Sequence, residues 1–512
     1  MMLLAIDIGT TNVKVGLLDE RGSVIVHKDC PNRKLRHRDG YVGYDPELLW
    51  ATVAQLMKEA VESAGGPCVR AVGIASMAES GLLADRVTGR PRTHLIPWFE
   101  TVSVPQAERI KREVDVREQF VRTGLLPSFK QGLSKLLWLK EIFPESLKGS
   151  VWLSASAYIA YRLTGRMAED YTLAARTFAF RIDRKQWDEP LIRHFGLRPE
   201  LFPPACPAGT PVGSVLPEAA RLLGLQPDTV VGLAGHDHVC ASLTVPGAGS
   251  GGVYNSMGTA ETMVGTFAER ALEDGDYASG LSFGLHSVAG TMFWMGGHST
   301  SGGSVEWMRE LIGGGNLTYA RIMELLEEPV SACGHGPTGI LFFPYLSGSG
   351  APQTNHAARA AFVGLTARHG AADMLRAVLE GNAYQMELLR ERAAQVGGSP
   401  IHRMAVVGGG AKNPAWLQIK ADVSNVTLTV PDLTEATLVG AALTAGVGAG
   451  VYASFGEAMR AAASAASGAW TVSPDAGRNA RYRRVYEHGF KALAGVLAGY
   501  GEWLHEKGIG SM

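Results

Sequence analysis

The residues best suited to chemistry lie in two short stretches of the same design. The first consists of a strand, a turn at Gly9-Thr10 and a second strand, and about 250 residues later the same order recurs around Gly258-Thr259. Such a hairpin exposes backbone N–H groups and hydroxyls at its tip, and donors of this kind hold phosphate. One copy in each half of the chain predicts two related domains that grip one nucleotide across a cleft.

A third stretch with chemical potential is Gly235-His236-Asp237-His238, directly after the short apolar strand predicted at 229–234. In an extended segment, His236 and His238 would point to one side and Asp237 to the other. A His-x-His pair can bind zinc, which permits a metal-dependent hydrolase as one hypothesis. Further ligands at a suitable spacing are missing from the sequence.

Mixed sheets are expected to position these residues. The amino-terminal elements are predicted as strands at 3–7, 13–18 and 23–27, a helix at 46–64 and a strand at 69–74. A hairpin that precedes the crossover helix favours a mixed sheet over an all-parallel one. Further helices are predicted at 133–142, where the pattern is amphipathic, and at 155–163, 374–396, 414–423 and 435–448, with strands at 340–344, 403–407 and 426–430.

Length and composition limit the class of protein. A chain of 512 residues exceeds the size of most single cores, so two or more domains are expected. The net charge of -1 offers no attraction to nucleic acid or to an anionic membrane. No apolar run is long enough to span a bilayer, and no signal peptide is predicted, which indicates a cytoplasmic protein. The five cysteines form no CxxC pair and are expected to be reduced.

The expected domain organisation is an amino-terminal domain at 1–246, a carboxy-terminal domain at 247–450 and a helical extension at 451–512 that packs on the body. The first boundary is placed at the Gly-rich stretch 246–252.

Several motifs in a fixed order resemble the FGGY family of carbohydrate kinases, in the superfamily that also contains actin and the large ATP-binding chaperones. The matching segments are 7–11, 45–50, 71–74, 163–165, 235–237, 256–259, 350–366 and 408–418. The resemblance implies an α/β protein with two actin-like, ribonuclease H-like domains, each with a mixed five-stranded sheet flanked by helices, and an active site in the interdomain cleft. It also implies an ATP-dependent kinase that can form a homodimer and that uses a small sugar or polyol as the acceptor.

The resemblance assigns roles to the nucleotide-binding residues. The phosphates and Mg²⁺ would be held by Asp7, Gly9, Thr10, Thr11, Lys14, Gly258 and Thr259, with Asp7 holding the metal through water. The adenosine would contact Gly302, Trp307, Gly409, Gly410, Ala411 and Asn413.

Asp237 is the predicted general base, because a carboxylate at a strand end can accept the proton of an attacking hydroxyl and align its oxygen. The substrate is expected to contact Glu79, Trp98, Glu100 and His236 as well as Asp237.

Substrate identity is where the chain departs from the family pattern. The loop Ser76-Met77-Ala78-Glu79-Ser80 replaces the Gln-Met-His-Gly of many ketose kinases and the Gln-Arg-Glu of glycerol kinases. Ser128 stands where glycerol kinases commonly carry an aromatic residue, which disfavours glycerol. A carboxylate at Glu79 suits two vicinal hydroxyls and would repel an acidic sugar. A small open-chain ketose such as xylulose, or a polyol, is predicted, and a non-kinase ATP switch on the same scaffold is the alternative.

Overall fold

The protein is described from a computed structural model. The described residues are 1–37, 40–245, 247, 251–314, 316–327, 336–433, 435–465 and 468–509. Part of the predicted boundary stretch 246–252 lies outside the described residues, and so does Cys333. The four described cysteines form no disulfide.

The strands of the described chain are β1 (Met2–Ile8), β2 (Asn12–Asp19), β3 (Val24–Pro31), β4 (Leu35–Arg36), β5 (Val42–Gly43), β6 (Val69–Ser76), β7 (Gly81–Asp85), β8 (Ser150–Ser154), β9 (Glu169–Asp170), β10 (Phe180–Arg181), β11 (Gln186–Trp187), β12 (Ala205–Cys206), β13 (Pro211–Ser214), β14 (Val230–His236), β15 (Val253–Met257), β16 (Glu261–Ala268), β17 (Ser282–Leu285), β18 (Thr291–His298), β19 (Leu341–Phe343), β20 (Ala361–Val363), β21 (Arg403–Val407), β22 (Thr427–Val430) and β23 (Trp470–Val472).

The α-helices of the described chain are α1 (Pro46–Ser63), α2 (Val104–Glu113), α3 (Val116–Thr123), α4 (Gly132–Ile142), α5 (Ala155–Thr164), α6 (Tyr171–Ala174), α7 (Glu189–His194), α8 (Pro217–Leu223), α9 (Asp237–Ser242), α10 (Asp274–Ala278), α11 (Gly302–Gly313), α12 (Tyr319–Glu327), α13 (Ala371–Gly397), α14 (Pro414–Ser424), α15 (Ala436–Gly448), α16 (Phe455–Ala465), α17 (Ala476–Val485) and α18 (Lys491–Glu506).

Two mixed sheets organise the molecule, and each contains the same arrangement of five strands. In the first half the order is β3-β2-β1-β6-β14, and in the second it is β18-β16-β15-β21-β22. In both sheets, the first three strands of this order are antiparallel to their neighbours. The last two run parallel to the third strand, which is β1 in the first sheet and β15 in the second. The repeated hairpin of the sequence is therefore the first connection of a repeated fold.

The prediction of five strands per sheet covers this shared arrangement but is too small for the described sheets. The antiparallel strand β13 extends the first sheet to six strands, and β17 and β23 extend the second to seven. These edge strands are only three or four residues long. They lack the length at which alternation of polar and apolar residues becomes readable.

The domains meet through α15, which lies in the second half of the chain but packs on the first sheet. Its residues Leu438 to Ala445 join Leu3, Ala5 and Ala71 in one buried cluster. The Cβ that Gly440 lacks would lie 1.9 Å from the carbonyl oxygen of Cys240 in α9, so the two helices approach too closely for a side chain there. Helix α9 also packs against β16, and the end of the first sheet is thus anchored to both domains.

Two predicted elements differ from the structure. Helix α4 is not amphipathic, because all eight residues from Gly132 to Leu139 are buried. Lys135 is among them, and its contacts are described below. The predicted helical extension at 451–512 also contains a strand, because β23 joins the second sheet. Helix α17 continues through a π-helical turn at Tyr486–Phe490 into α18.

Candidate active site

Three parallel strands of the first sheet end side by side and gather the residues of the site. In register, Asp7 of β1 lies opposite Ala75 of β6, which lies opposite Gly235 of β14. The carboxyl edge of these strands therefore brings together Asp7, the loop after Ser76 and Asp237. Ligands bind at such edges in open α/β sheets because the loops there are free to carry polar groups.

Asp237 is the first residue of α9 rather than part of an extended segment, so the predicted alternation of His236, Asp237 and His238 is wrong. Its Oδ1 accepts hydrogen bonds from the backbone N–H of His238 at 2.7 Å and lies 3.2 Å from Nε2 of His236. Burial opposes ionisation, but the two histidines and the backbone N–H outweigh it and lower the pKa of Asp237 to about 2. Its side chain is 24% exposed, so the ionised carboxylate can be reached.

The position of Asp237 is set by a chain of hydrogen bonds behind it. Thr172 accepts from the backbone N–H of His236 at 2.8 Å and donates to Asp170 at 2.5 Å. Gly235, at φ +98°, fits closely over this pair, because a Cβ would lie 2.2 Å from the Thr172 hydroxyl. The glycine is required both by its backbone conformation and by this contact.

Asp7 shares the edge with Asp237, and its Oδ1 is buried without a hydrogen-bond partner. Burial, with the nearby carboxylates of Asp237 and Glu435, raises the pKa of Asp7 to about 8 although Lys14 opposes this shift. A divalent cation would supply the missing partner and favour the ionised form. The donor set therefore fits Mg²⁺, which is bound by one or two carboxylates together with water and substrate phosphates.

The first phosphate loop is fixed from several sides. The backbone N–H of Gly9 donates to the carbonyl of Asn12 at 3.0 Å, which closes the turn. The Tyr44 hydroxyl donates to the Thr10 carbonyl at 2.8 Å, and Nε1 of Trp98 donates to the Thr10 hydroxyl at 3.0 Å. Thr11 is exposed at the tip. Trp98, predicted in the substrate pocket, thus connects that pocket to the phosphate loop.

Lys14 is not free for phosphate in this structure. Its Nζ lies 2.8 Å from Oε2 of Glu435, immediately before α15, so the pair joins the two halves of the chain. Glu435 Oε1 also lies 3.8 Å from Nε2 of His27. The sequence did not point to Glu435, because 421 residues separate it from its partner.

Glu79 lies in the loop after β6 in a left-handed conformation, at φ +58°, which is unusual for a residue with a side chain. Its Oε1 accepts from Nε of Arg176 at 3.0 Å and from Nη2 of the same guanidinium. Its backbone carbonyl accepts from Nζ of the buried Lys135, which also donates to the Lys130 carbonyl at 2.7 Å. Burial opposes ionisation of Glu79, but Arg176 and Lys130 hold its pKa below the usual range.

The carboxylate of Glu100, also predicted in the pocket, accepts hydrogen bonds from backbone N–H groups. Oε2 accepts from the N–H of Val42 at 2.6 Å and Oε1 from the N–H of Thr101 at 2.8 Å. The Ser128 hydroxyl likewise bonds a backbone N–H, that of Lys130, at 3.3 Å. Both side chains shape the loops near Glu79, and a substrate contact by Glu100 stays a prediction.

The second phosphate loop is open to solvent and supported from beneath. Gly258 and Thr259 are exposed. Their carbonyls accept the backbone N–H groups of Gly302 and Gly303, each at 3.0 Å, at the start of α11. A Cβ on Gly302 would lie 2.5 Å from the Gly258 carbonyl oxygen, so Gly302 supports the loop directly.

The predicted adenosine loop lies beside it, because β15 and β21 are parallel neighbours. Gly409 has open space where a side chain would stand, whereas a Cβ on Gly410 would lie within 3.0 Å of Trp416 and Met257. Ala411 is buried, and the Asn413 side chain caps α14 by accepting from Trp416 N–H at 3.0 Å. Asn413 therefore has a structural role that the sequence did not reveal.

Trp307, on α11, is half-buried. Its ring is stacked at 6.2 Å from Phe342 and at 6.4 Å from Phe362, measured between ring centroids. It lies on the same helix as Gly302, and its contact with ribose stays a prediction.

Three groups in the site had no signal in the sequence: Arg176, Lys135 and Glu435. Arg176 is 97 residues from Glu79. Lys135 looks like an ordinary charged position of a surface helix, and only the packing of α4 shows that it is buried. Of these three residues, only Lys135 could have been found from the sequence, by a search for charged residues in otherwise apolar helix faces.

Comparison with known proteins assigns both halves of the chain to one protein family. The sequence model of the "FGGY family of carbohydrate kinases, N-terminal domain" matches residues 2–244, and that of the C-terminal domain matches residues 253–449. The chain belongs to the FGGY family of carbohydrate kinases. Like other FGGY kinases, it is a phosphotransferase with an alcohol group as acceptor and uses ATP to phosphorylate a sugar or polyol.

The FGGY relatives differ in substrate. A xylulose kinase of Bacillus subtilis is 28% identical over 468 residues, which cover 89% of this chain and 90% of the relative. A glycerol kinase of Thermus brockianus is 32% identical over 464 residues, covering 88% and 90%. The crystal structure of a gluconate kinase from Lactobacillus acidophilus superposes with a TM-score of 0.88 at 20% identity, covering 98% and 100%, and shows the common fold.

Two further findings concern metals and membranes. In the part of the chain that the structure describes, no group of three or more His, Cys, Asp or Glu side chains could hold a metal ion, so the zinc hydrolase hypothesis gains no support from His236 and His238. Within those same residues, no helix has the length and apolarity needed to cross a bilayer.

Proposed function

We propose that this FGGY kinase transfers the γ-phosphoryl group of ATP to a hydroxyl of a small, neutral, open-chain sugar, a pentulose or hexulose, or of a related polyol, with Asp237 as general base. The observation that carries the proposal is the common edge of β1, β6 and β14. The ends of these strands bring Asp237, the Gly9-Thr10 turn and the Glu79 loop to one edge, which supports the proposed roles.

Asp237 acts by position more than by basicity. With a pKa of about 2 it is ionised at neutral pH and is a weak base. Phosphoryl transfer needs little base strength, because the proton is lost late and the carboxylate mainly aligns the attacking oxygen. The link from Asp170 through Thr172 to His236 holds it in place.

ATP is expected to lie across the two Gly-Thr loops, with its adenosine at the Gly409 loop and its γ-phosphate towards Asp237. Asp7 would hold Mg²⁺, which supplies charge neutralisation for the phosphates. Lys14 would leave Glu435 and approach the phosphates when nucleotide enters. The open tips at Thr11 and Thr259 support this placement.

Two features support a neutral substrate other than glycerol. Ser128 bonds backbone near the pocket and adds no aromatic wall. Glu79 carries a negative charge that is already bound to Arg176. We expect the domain boundaries of the sequence analysis to apply and the active species to be a homodimer, which light scattering after size-exclusion chromatography can measure.

The decisive experiment is an ADP-release assay with ATP and Mg²⁺ over a panel of pentuloses, hexuloses, pentitols, glycerol and aldonic acids. At least one ketose or polyol is expected to raise ADP production well above the ATPase background, and mass spectrometry should find its monophosphate. A rate equal to background for every compound would contradict the proposal and leave the non-kinase ATP switch as the better hypothesis.

A further inference from the structure

The side chain of Arg176 forms an ion pair with Glu79 in the predicted substrate pocket. Arg176 stands in a one-turn helix at Ala175–Thr177, directly after α6. The two side chains are 7% and 13% exposed. Both bonding nitrogens, Nε and Nη2, approach the same carboxylate oxygen, Oε1.

The ion pair leaves one donor and one acceptor unused. Nη1 of Arg176 is buried and has no hydrogen-bond partner in the described chain. Oε2 of Glu79 takes no part in the ion pair, because both Arg176 nitrogens bond Oε1. A buried guanidinium N–H without an acceptor is costly, so sites that keep one usually receive the acceptor from a ligand.

Other groups place this pair next to the reacting carboxylate. Arg176 and Glu79 both act electrostatically on His238, and His236 acts on Glu79. The backbone of His236 is tied to Thr172, four residues before Arg176, by a hydrogen bond of 2.8 Å. Nδ1 of His236 is a second buried atom without a partner. The groups near Asp237 thus offer free donors and acceptors in one cluster.

The charge of the pair determines what it can bind. Glu79 occupies the guanidinium as a substrate carboxylate would, since arginine binds carboxylates through two parallel N–H groups. What remains is a neutral pair with one N–H and one oxygen, which matches two neighbouring hydroxyl groups. Lys130, whose Nζ lies 5.2 Å from the centroid of the Trp98 ring, is a further cation that lowers the pKa of Glu79.

We propose that the Glu79–Arg176 ion pair is the specificity determinant of this kinase: it binds a vicinal diol of a neutral substrate and excludes sugar acids, because Glu79 takes the place of a substrate carboxylate. This inference rests on the proposed function and adds the recognition chemistry of the same site.

The test uses the full-length protein, the best neutral compound of the substrate panel and the aldonic acid of the same chain length. Arg176→Met is expected to raise KM for the neutral compound about tenfold or more, the effect of a lost hydrogen bond in a desolvated site, with a smaller change in kcat. Glu79→Gln releases the guanidinium charge and is expected to raise the ratio of kcat/KM for the aldonic acid over the neutral compound about tenfold.

The matched control is Arg193→Met, which removes an arginine from an exposed ion pair with Glu189 at 3.1 Å in the same domain. It is expected to leave kcat and KM for both compounds unchanged. Thermal unfolding is measured for each variant. If Arg176→Met does not fold, Arg176→Lys, which keeps the charge but loses the planar fork of donors, takes its place and is expected to raise KM in the same direction.

Binding without turnover separates the two proposals. Tryptophan fluorescence, with Trp98 beside the pocket, reports polyol binding in the absence of ATP. If the wild-type protein binds the neutral compound but no compound is phosphorylated, the proposed function fails, and weaker binding by Arg176→Met still supports this inference. Unchanged KM and unchanged binding in a folded Arg176 variant, or no gain for the aldonic acid in Glu79→Gln, would overturn the inference while leaving a kinase.

Discussion

The carboxyl edges of the two sheets have the same strand order but differ in how their buried charged groups are bonded. At the edge of the first sheet, buried charged or polar atoms lack partners: Oδ1 of Asp7, Oδ2 of Asp170, Nη1 of Arg176 and Nδ1 of His236. At the edge of the second sheet, the buried carboxylate of Glu261 accepts from Lys420 at 2.7 Å, from Asn255 at 2.9 Å and from Ser301 at 2.6 Å. The buried atoms without a partner there, Oδ1 of Asn255 and Nε1 of Trp416, are uncharged.

This difference fits the proposed division of roles, with nucleotide binding at the second edge and reaction at the first. A fully bonded charge such as Glu261 adds rigidity beneath the second phosphate loop, whose exposed backbone can hold phosphate without any charged side chain. A buried charged group with an atom that lacks a partner costs stability, and such a group is a candidate for completion by a ligand or ion. Under the proposed function, the same fold would supply a rigid nucleotide platform in one domain and a reactive pocket in the other.

The largest expected effect is at Asp237. Asp237→Asn should lower kcat at least about 100-fold, the contribution of a positioned base, while ATP affinity, measured by titration calorimetry, changes little. Asp228→Asn is the control, because Asp228 is an exposed partner of Arg70 at 3.6 Å just before the same strand. Turnover near the wild-type level in Asp237→Asn would contradict the role of the base.

The second prediction concerns the paired edge. Lys420→Met leaves Glu261 buried without its counterion, which typically costs about 3 to 5 kcal/mol of unfolding free energy. Urea denaturation should detect this loss, and the double variant with Glu261→Gln should recover part of it. The exposed pair of Lys58 and Glu62 provides the control, for which Lys58→Met should change stability by less than about 0.5 kcal/mol. Equal effects at the two sites would remove the proposed contrast.

The third prediction is a pH dependence at the substrate loop. Burial lowers the pKa of Lys135 to about 7, partly opposed by Glu79 and Glu100. Between about pH 7 and 10 the unfolded chain therefore binds a proton that the folded chain does not, and this group makes stability rise with pH. Relative to Lys135→Met, the wild-type unfolding free energy should rise by up to about 1.4 kcal/mol per pH unit in this window. If the unfolding free energies of the two proteins changed in parallel with pH, a lowered pKa of Lys135 would be excluded.

The smallest expected effect is at the contact between the domains. If Glu435 holds Lys14 until nucleotide arrives, Lys14→Met should raise KM for ATP about fivefold, the size of a partly exposed charge contact. Glu435→Gln should lower it, because Lys14 is then free. Initial rates against ATP concentration measure both. A change in the same direction for the two variants would argue that the pair acts only as a structural link.

The hairpins and the long helices were predictable because they depend on local patterns, whereas the five-stranded sheets were expected only from the resemblance to the family. A Gly-Thr turn between two apolar strands, and an apolar stripe over 18 residues in α1, are readable from neighbouring residues. The loops that matched family motifs were also predictable. Glu100 and Asn413 show the limit: the sequence predicts both as ligand contacts, but their side chains accept hydrogen bonds from the backbone N–H groups of Val42 and Trp416.

By itself, the sequence determined the family, and it predicted the phosphate loops and Asp237 as the base, since each is written in a few consecutive residues whose chemistry is local. Only the tertiary structure decided that Asp7 and Asp237 share an edge, that Lys14 is held by Glu435, and that Glu79 faces Arg176. These pairings depend on which distant strands lie side by side and on burial, which changes the free energy of a charge according to its surroundings. The Glu79 loop, unusual in sequence, acquires a chemical meaning only through an arginine 97 residues away.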